Sequence, residues 1–254
     1  MTDPADSASR DDWPAGSTLV VAATFNESEN VAALVDRVLA VSPDLHMLVV
    51  DDDSPDGTGG YALERAEREP RLHALVRRGR RGLGSALVEG LEIGHRHGFA
   101  RAVTMDADFS HDPDDIPRLL AALEPPGGVP VDVVIGSRRV PGGRIEGWPL
   151  SRHVASRLVS LFTRLVLCVP VRDASSGFRA IRLESFARLT GPFARGYGFQ
   201  EDLLWRVHRA GGRIREVPVT FIDRRYGSSK ADFAESYRSI RDLFGLARQT
   251  WLPF

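Results

Sequence analysis

Asp106-Ala107-Asp108 is the stretch of this chain best suited to holding a cation. It follows the apolar run Ala102-Val103-Thr104-Met105 and precedes a helix expected to begin near Pro113. In extended backbone, residues two apart face the same way, with Cα atoms about 6–7 Å apart. Two carboxylates that close repel by about 2–3 kcal/mol at an effective dielectric of ~20. A positive ion between them relieves this, and hard oxygen ligands select Mg²⁺ or Mn²⁺ over zinc. The competing reading is an acidic strand end that caps the next helix. Asp112, directly before Pro113, has that capping role.

Other polar clusters carry related chemistry. Phe25-Asn26-Glu27 and Asp51-Asp52-Asp53 each end an apolar run. Arg224 and Lys230, separated by a turn, could grip a diphosphate as fork and point charge, or be an ordinary solvated surface. Between Arg138 and Arg164 there are six arginines (138, 139, 144, 152, 157, 164) against one acid, Glu146. Asp202, in Tyr197-Gly198-Phe199-Gln200-Glu201-Asp202, is a candidate general base or orienting group, with helix capping as the alternative. No GxGxxG follows the first strand, which disfavours a dinucleotide redox site, and no GxxxxGK[ST] is present for an ATPase loop.

The elements that must position these residues alternate. Apolar runs at Thr18–Ala23, Met47–Val50, Leu72–Val76, Ala102–Met105 and Val131–Ser137 read as buried strands. Between them lie helical patterns: Val31, Leu34, Val35, Val38 and Leu39 behind a Ser28 cap, then Tyr61–Glu69. A third helix opens at the glycine-rich turn Arg77–Gly84 and runs to about His97. This alternation predicts a mostly parallel, doubly wound α/β sheet. Ligands of such sheets bind beyond the carboxyl ends of the strands, so the three acidic clusters should meet on one rim. Later come a glycine-rich segment, Arg138–Trp148, read as a lid-like loop, an extended segment Glu216–Phe221, and a last helix from about Phe233 to Gln249.

Bulk properties narrow the class. The chain has 254 residues, 43% hydrophobic and 26% charged, an ordinary globular composition. A net charge of −1 argues against a general nucleic-acid binder. The one cysteine, Cys168, reads as a small hydrophobe in a helix, excludes an internal disulfide and makes a reducing, cytoplasmic setting the expectation. Residues 1–16 read as a disordered arm without the apolar core of a signal peptide. No stretch reaches the ~18 apolar residues of a membrane span, and Leu158–Val171 is interrupted by Arg164. Any membrane contact is therefore expected to be peripheral. Leu158, Val159, Leu161, Phe162, Leu165 and Val166 beside Arg157 and Arg164 fit a helix lying in a membrane interface, or a core helix with solvated arginines.

In order along the chain stand Ala23-Thr24-Phe25-Asn26-Glu27, Asp51-Asp52-Asp53-Ser54-Pro55-Asp56-Gly57-Thr58, Asp106-Ala107-Asp108-Phe109-Ser110-His111, Gly136-Ser137-Arg138, Ser176-Gly177-Phe178-Arg179 and Arg224-x-x-Gly227-x-Ser229-Lys230. This series resembles the dolichol-phosphate or polyprenol-phosphate mannose synthases, inverting family 2 glycosyltransferases of GT-A fold, in their short form without transmembrane helices. The likeness covers roughly residues 18–230. Behind the arm over 1–16, it implies one GT-A domain over 17–250. Within that domain, 17–137 would bind the nucleotide sugar and 138–250 the acceptor, with the interfacial helix.

The resemblance also implies roles. Ala23, Phe25, Glu27, Val50 and Asp52 would hold the nucleoside of GDP-mannose. Asp106, Ala107 and Asp108 would line the diphosphate, with Asp106, Asp108 and Ser110 at a Mg²⁺ or Mn²⁺ ion. Arg138, Arg224 and Lys230 would meet the donor phosphates, and Arg152 and Ser156 the phosphate of a polyprenyl (dolichyl) acceptor. Asp108, Asp202 and Arg138 would be the catalytic group. A membrane surface and a separate membrane-anchoring subunit are implied partners. Ala23 and Phe25 depart from the family's proline and tyrosine, so the aromatic face persists without its hydroxyl, and Ser110 stands where some relatives carry glutamine. Two other readings remain: a family 2 transferase using UDP-glucose or another donor, with a hydroxyl or phosphate acceptor, and a non-catalytic nucleotide-binding module.

Overall fold

The computed structural model describes residues 7–8, 13, 18–223 and 233–252. In chain order the strands are β1 (Ser7–Ala8), β2 (Thr18–Thr24), β3 (Leu45–Asp51), β4 (Leu72–Val76), β5 (Arg101–Met105), β6 (Val133–Ser137), β7 (Arg144–Glu146), β8 (Arg179–Arg182), β9 (Ile214–Pro218) and β10 (Thr220–Ile222). The helices are α1 (Val31–Val41), α2 (Thr58–Ala66), α3 (Leu83–Arg96), α4 (Ile116–Leu123), α5 (Leu150–Leu165), α6 (Leu183–Ala187), α7 (Phe199–Arg209) and α8 (Phe233–Trp251). Eight strands form one sheet in the order β1-β4-β3-β2-β5-β8-β6-β9, and β10 pairs with β7 beside it. Neighbours run parallel except β1 against β4 and β8 against both β5 and β6. This is the mostly parallel α/β sheet expected from the alternation.

The period of two along β2 explains the layers. Leu19 and Val21 face one core with α3, α6 and α7, whereas Val20 and Ala22 face the other with α1, α2 and α4. Both faces of β2 and β3 are covered, so their sequences read as unbroken apolar runs. The apolar stripe of α1 is buried as its spacing predicts.

Several expectations need correction. The residue before α1 is Asn30, not Ser28; the Ser28 amide instead donates to Asp56. Arg138–Trp148 is not wholly a loop, because β7 pairs in parallel with β10 and the Arg144 amide donates to the Val219 carbonyl. Cys168 is exposed and lies beyond α5 with φ +59°, outside any helix. Of the arm expected over 1–16, most lies outside the described residues; within it Ser7 and Ala8 pair with β4, and Trp13 stacks on His73 and His97. Helix α5 is inverted in polarity. It buries Ser156, Ser160 and Thr163 and exposes Leu150, Val154, Leu158, Leu161 and Leu165. Among the described residues no helix is long and apolar enough to cross a membrane.

Candidate active site

The three acidic clusters meet because β3, β2 and β5 are adjacent and parallel. Thr24 pairs with Asp51, and Met105 pairs with Ala22, so Phe25, Asp52 and Asp106 leave the sheet side by side. Each exit passes through left-handed backbone at a non-glycine residue: Asn26 (φ 56°), Asp53 (φ 55°) and Phe109 (φ 59°). For a bulky Phe that conformation is unfavourable, and its cost of order 1–3 kcal/mol is borne where the chain must turn sharply around a site.

Hydroxyls and amides build the rim. Asp51 accepts from Thr24 Oγ1 at 2.8 Å and from the Ser54 amide at 2.8 Å, tying β2 to the loop after β3. The Glu27 amide donates to Thr58 Oγ1 at 2.9 Å, and the Glu27 carboxylate accepts from Asn30. Asp52 accepts from Arg77, which is itself buried, and from the Gly82 amide at the start of α3. Burial pushes the Asp52 carboxyl up, and Arg77 opposes that shift. Asp52, Asp53, Gly79, Arg80 and Arg81 line a cleft of about 340 Å³. The Arg81 guanidinium lies 4.2 Å from the centre of the Phe25 ring, a cation–π contact at the cleft's edge. Val50, expected at the nucleoside, has no exposed surface and packs toward Gly90 of α3, so its side chain belongs to the core. Ala107 is likewise buried, whereas Ala23 is partly open.

Asp106 and Asp108 are held differently. The Asp106 side chain is 40% exposed, and its amide donates to Nδ1 of buried His111. The ring proton therefore sits on Nε2, which is buried without a partner. Burial lowers the His111 pKa, opposed by Asp106 and Asp108. Asp108 is 8% exposed and accepts both the amide and the hydroxyl of Ser110. Ser110 thus orients the Asp108 carboxylate. Among the described residues no three acidic, His or Cys side chains cluster as a complete metal cage. Two carboxylates on a rim, one of them open, fit a hard divalent cation whose other ligands come from a diphosphate and water.

A group that sequence reasoning missed borders Asp106. A Cβ on Gly177 would lie 3.2 Å from Asp106 Oδ1 and 3.4 Å from Gln200 Nε2, so glycine lets these side chains approach without displacing one another. Gln200 is 95% buried by the same packing, and its Oε1 has no partner. Its place at the start of α7, after Tyr197-Gly198-Phe199, was the only signal available.

The residues expected from the sequence on the acceptor side are spread over α5 and the segments packed near it. Arg138 is buried and grips Asp173 with Nε and Nη2, both at 2.7 Å, while its amide donates to the same carboxylate. Asp173 is fully buried. Burial works against its charged form, but Arg138 overrides this and holds the carboxyl below the usual range. Arg152 pairs with Asp223 at 2.7 Å and lies 4.2 Å over the Trp148 ring. Ser156 Oγ is 2.8 Å from Ser175 Oγ and accepts from Arg139 at 3.0 Å. Asp202 is 2% exposed; it accepts from the Ala194 amide at 2.8 Å and from Arg206 Nε at 2.6 Å. Its oxygens tie the 194–198 segment to α7, a placement that favours a structural role over a general base. Arg224 and Lys230 lie outside the described residues.

A doubly wound sheet with acidic strand exits, a cleft beside them and a cation-rich flank is the architecture of a GT-A glycosyltransferase. Residues 19–190 match glycosyl transferase family 2, and the chain belongs to that family. It is 43% identical over 220 residues to the polyprenol monophosphomannose synthase of Mycolicibacterium smegmatis, covering 85% of this chain and 82% of the relative. It is 42% identical over 214 residues to the undecaprenyl-phosphate mannosyltransferase of Micrococcus luteus, covering 84% and 86%. Among solved structures, glucosyl-3-phosphoglycerate synthase of Mycobacterium tuberculosis shares the fold. Its UDP complex superposes with TM-score 0.66 at 22% identity, covering 92% of this chain and 80% of that one. Its complex with Mn²⁺, UDP-glucose and phosphoglyceric acid gives TM-score 0.65 at 21% identity, covering 92% and 79%.

Proposed function

We propose that this glycosyltransferase moves mannose, with inversion, from GDP-mannose to a polyprenyl (dolichyl-type) monophosphate, giving a polyprenyl β-mannosyl phosphate. The two faces of α5 carry the reading. One face brings Ser156 to arginines, and the other exposes Leu150, Leu158, Leu161 and Leu165. That pairing suits an acceptor with an anionic head and an apolar tail, and the names of the two sequence relatives support the same chemistry.

A phosphate monoester is anionic at neutral pH, so it attacks without a general base, in keeping with the structural ties of Asp202. An acceptor oxygen bonds to the anomeric carbon as the bond from that carbon to the β-phosphate oxygen breaks. The electron pair leaves on GDP, and no proton need move. Asp106 and Asp108 would hold Mg²⁺ or Mn²⁺, which supplies charge neutralisation for the departing diphosphate. Phe25 and Arg81 flank the nucleoside cleft, and Arg224 and Lys230 are assigned to the diphosphate by sequence pattern. Arg138, locked on Asp173, acts by fixing the loop after β6 beside the site.

The exposed leucines of α5 continue into Ile240, Phe244, Trp251 and Leu252 of the α8 end. Phe162 meets Phe244 edge-on, and Trp251 Nε1 donates to the Val166 carbonyl. Helix α5 carries Arg152, Arg157 and Arg164 and no acid. This surface rests on an anionic bilayer as a peripheral contact. A panel of GDP- and UDP-sugars with polyprenyl phosphate and Mg²⁺ or Mn²⁺ tests the reaction: mannosyl transfer from GDP-mannose is expected, and transfer only from a UDP-sugar, or only to a hydroxyl, would refute it. Co-sedimentation with anionic liposomes tests the surface, where Leu158→Ser with Leu161→Ser should reduce binding several-fold; unchanged binding would remove it.

A further inference from the structure

The N-terminal arm meets the sheet at an edge that the proposed reaction does not use. β1 lies along the outer side of β4, where Ser7 pairs with Val76 and Ala8 with Leu75. Trp13 enters a stack of imidazoles near the start of the same strand. Its ring centre lies 3.7 Å from that of His73 and 4.4 Å from that of His97, nearly parallel to both, with Phe99 edge-on at 5.9 Å. Behind His73, His46 of β3 places Nδ1 3.2 Å from His73 Nε2, and both rings are buried. Three of the chain's seven histidines thus gather at one indole. Apolar rings would hold the arm as well; imidazoles make the hold depend on protonation.

The chemistry of the pair sets the direction. One ring nitrogen donates and the other accepts, so the bond survives with both rings neutral or with one added proton. A second proton turns two N–H groups toward each other, breaks the bond and sets like charges where water is excluded. Burial already holds the His46 pKa below its ordinary value; Arg71, from the turn before β4, adds to this and Glu69 opposes it. Glu69 is itself engaged by Arg71 at 3.6 Å. Lifting Trp13 returns His73 to water, so the docked arm binds fewer protons than the lifted one. Docking is therefore complete at neutral pH and weakens as pH falls.

We infer that the arm is an acid-released strap: docked through Trp13 at neutral pH, it closes the edge of β4 and braces the Arg77–Arg81 wall of the cleft beside Asp52. Val76, paired with Ser7 on one side and with Asp51 on the other, directly precedes Arg77. The Arg77 amide donates to the Asp51 carbonyl at 2.8 Å and its Nε to Asp52 at 2.8 Å, while Gly79, Arg80 and Arg81 line the cleft. Without β1, Leu75 and Val76 become an open strand edge, and the wall they anchor loses its outer support. None of this depends on which sugar or acceptor the enzyme takes.

Fluorine NMR of protein labelled with 5-fluorotryptophan tests the release, the Trp13 signal being the one of four lost in Trp13→Phe. In wild type that signal should move to the solvent-exposed position between about pH 7 and pH 5. In His73→Phe, which keeps the stack and removes the charge, it should stay docked. A wild-type signal that does not move, or one that moves alike in both proteins, overturns the inference. If His73→Phe does not fold, His46→Gln is read in its place, because it keeps a hydrogen-bonding partner for His73 and removes one titrating ring. Hydrogen–deuterium exchange tests the bracing. At neutral pH, Trp13→Ala should exchange the amides of residues 72–81 at least threefold faster than wild type, with residues 133–137 unchanged. At pH 5 the same difference should separate wild type from His73→Phe. Equal exchange over 72–81 in both comparisons overturns the strap.

Discussion

The two flanks of the site, named donor and acceptor after the proposed reaction, handle charge in opposite ways. On the donor flank, acids stand at strand exits and are held mainly by amides and hydroxyls. Asp51 leans on Thr24 and Ser54, Asp108 on Ser110, and the Asp106 side chain remains 40% exposed. Asp52 is held by Arg77 as well as by the Gly82 amide. On the acceptor flank arginines dominate, and buried acids neutralise them: the Arg138 and Asp173 side chains are 4% and 0% exposed. Acids held by neutral donors keep their charge available to a cation. Arginines locked to acids lose theirs and become scaffold, which is why the number of arginines overstates the number that can bind an anion.

The largest expected effect comes from Asp173→Ala. It strips the buried Arg138 guanidinium and amide of their acceptor, and an uncompensated buried charge of this kind costs about 3–5 kcal/mol. Chemical denaturation should register that loss, whereas Asp106→Ala, at an exposed rim, should change stability by less than about 1 kcal/mol. Equal losses in the two variants would erase the contrast between scaffold and site.

Asp108→Ala should reverse the pattern. The carboxylate accepts from the Ser110 amide at 3.1 Å, a contact within its own loop, so the fold should persist. Transfer should fall by about 10²–10³-fold, the scale on which removing one group that stabilises developing charge is felt. Saturating chelator should reproduce the loss in wild type. Full turnover in either condition would take the acidic pair out of the chemistry.

The donor flank was legible in the sequence because its geometry is local. A parallel strand that ends in Asp-x-Asp or Phe-Asn-Glu announces both the strand and the ligand edge, and adjacency of β3, β2 and β5 does the rest. The acceptor flank was not, because its meaning lies in partners far along the chain: Arg138 with Asp173, Arg152 with Asp223, Arg139 with Ser156. Sequence spacing cannot say which arginine an acid will neutralise. The same limit hid β8, an antiparallel strand entered from the Ser176-Gly177-Phe178 turn, and the burial of Ser156, Ser160 and Thr163 on a helix whose leucines face outward. It also made Asp202 read as a possible base, when Arg206 and the Ala194 amide occupy it.

Between the two flanks runs a seam that should respond to pH. Arg179, fully buried, donates to the carbonyls of Ala174, Ser176 and Gln200 and so joins the 174–176 turn to α7. With its donors spent on carbonyls, it meets neighbouring Glu201 only through space, and burial pushes the Glu201 carboxyl up to about 7 despite that attraction. A carboxyl raised in the folded state binds more protons folded than unfolded between its ordinary value of 4.5 and about 7. Its contribution to stability is therefore full below that window, falls as pH rises through it, and is flat above. Glu201→Gln removes the titrating group, so its unfolding free energy should lose this downward slope between pH 5 and 7.5. At pH 8 the variant should be the more stable protein by about 1–3 kcal/mol. Parallel pH profiles for wild type and variant in urea would mean that Glu201 stays ionised against Arg179, which would make the seam another neutralised pair like Arg138 with Asp173.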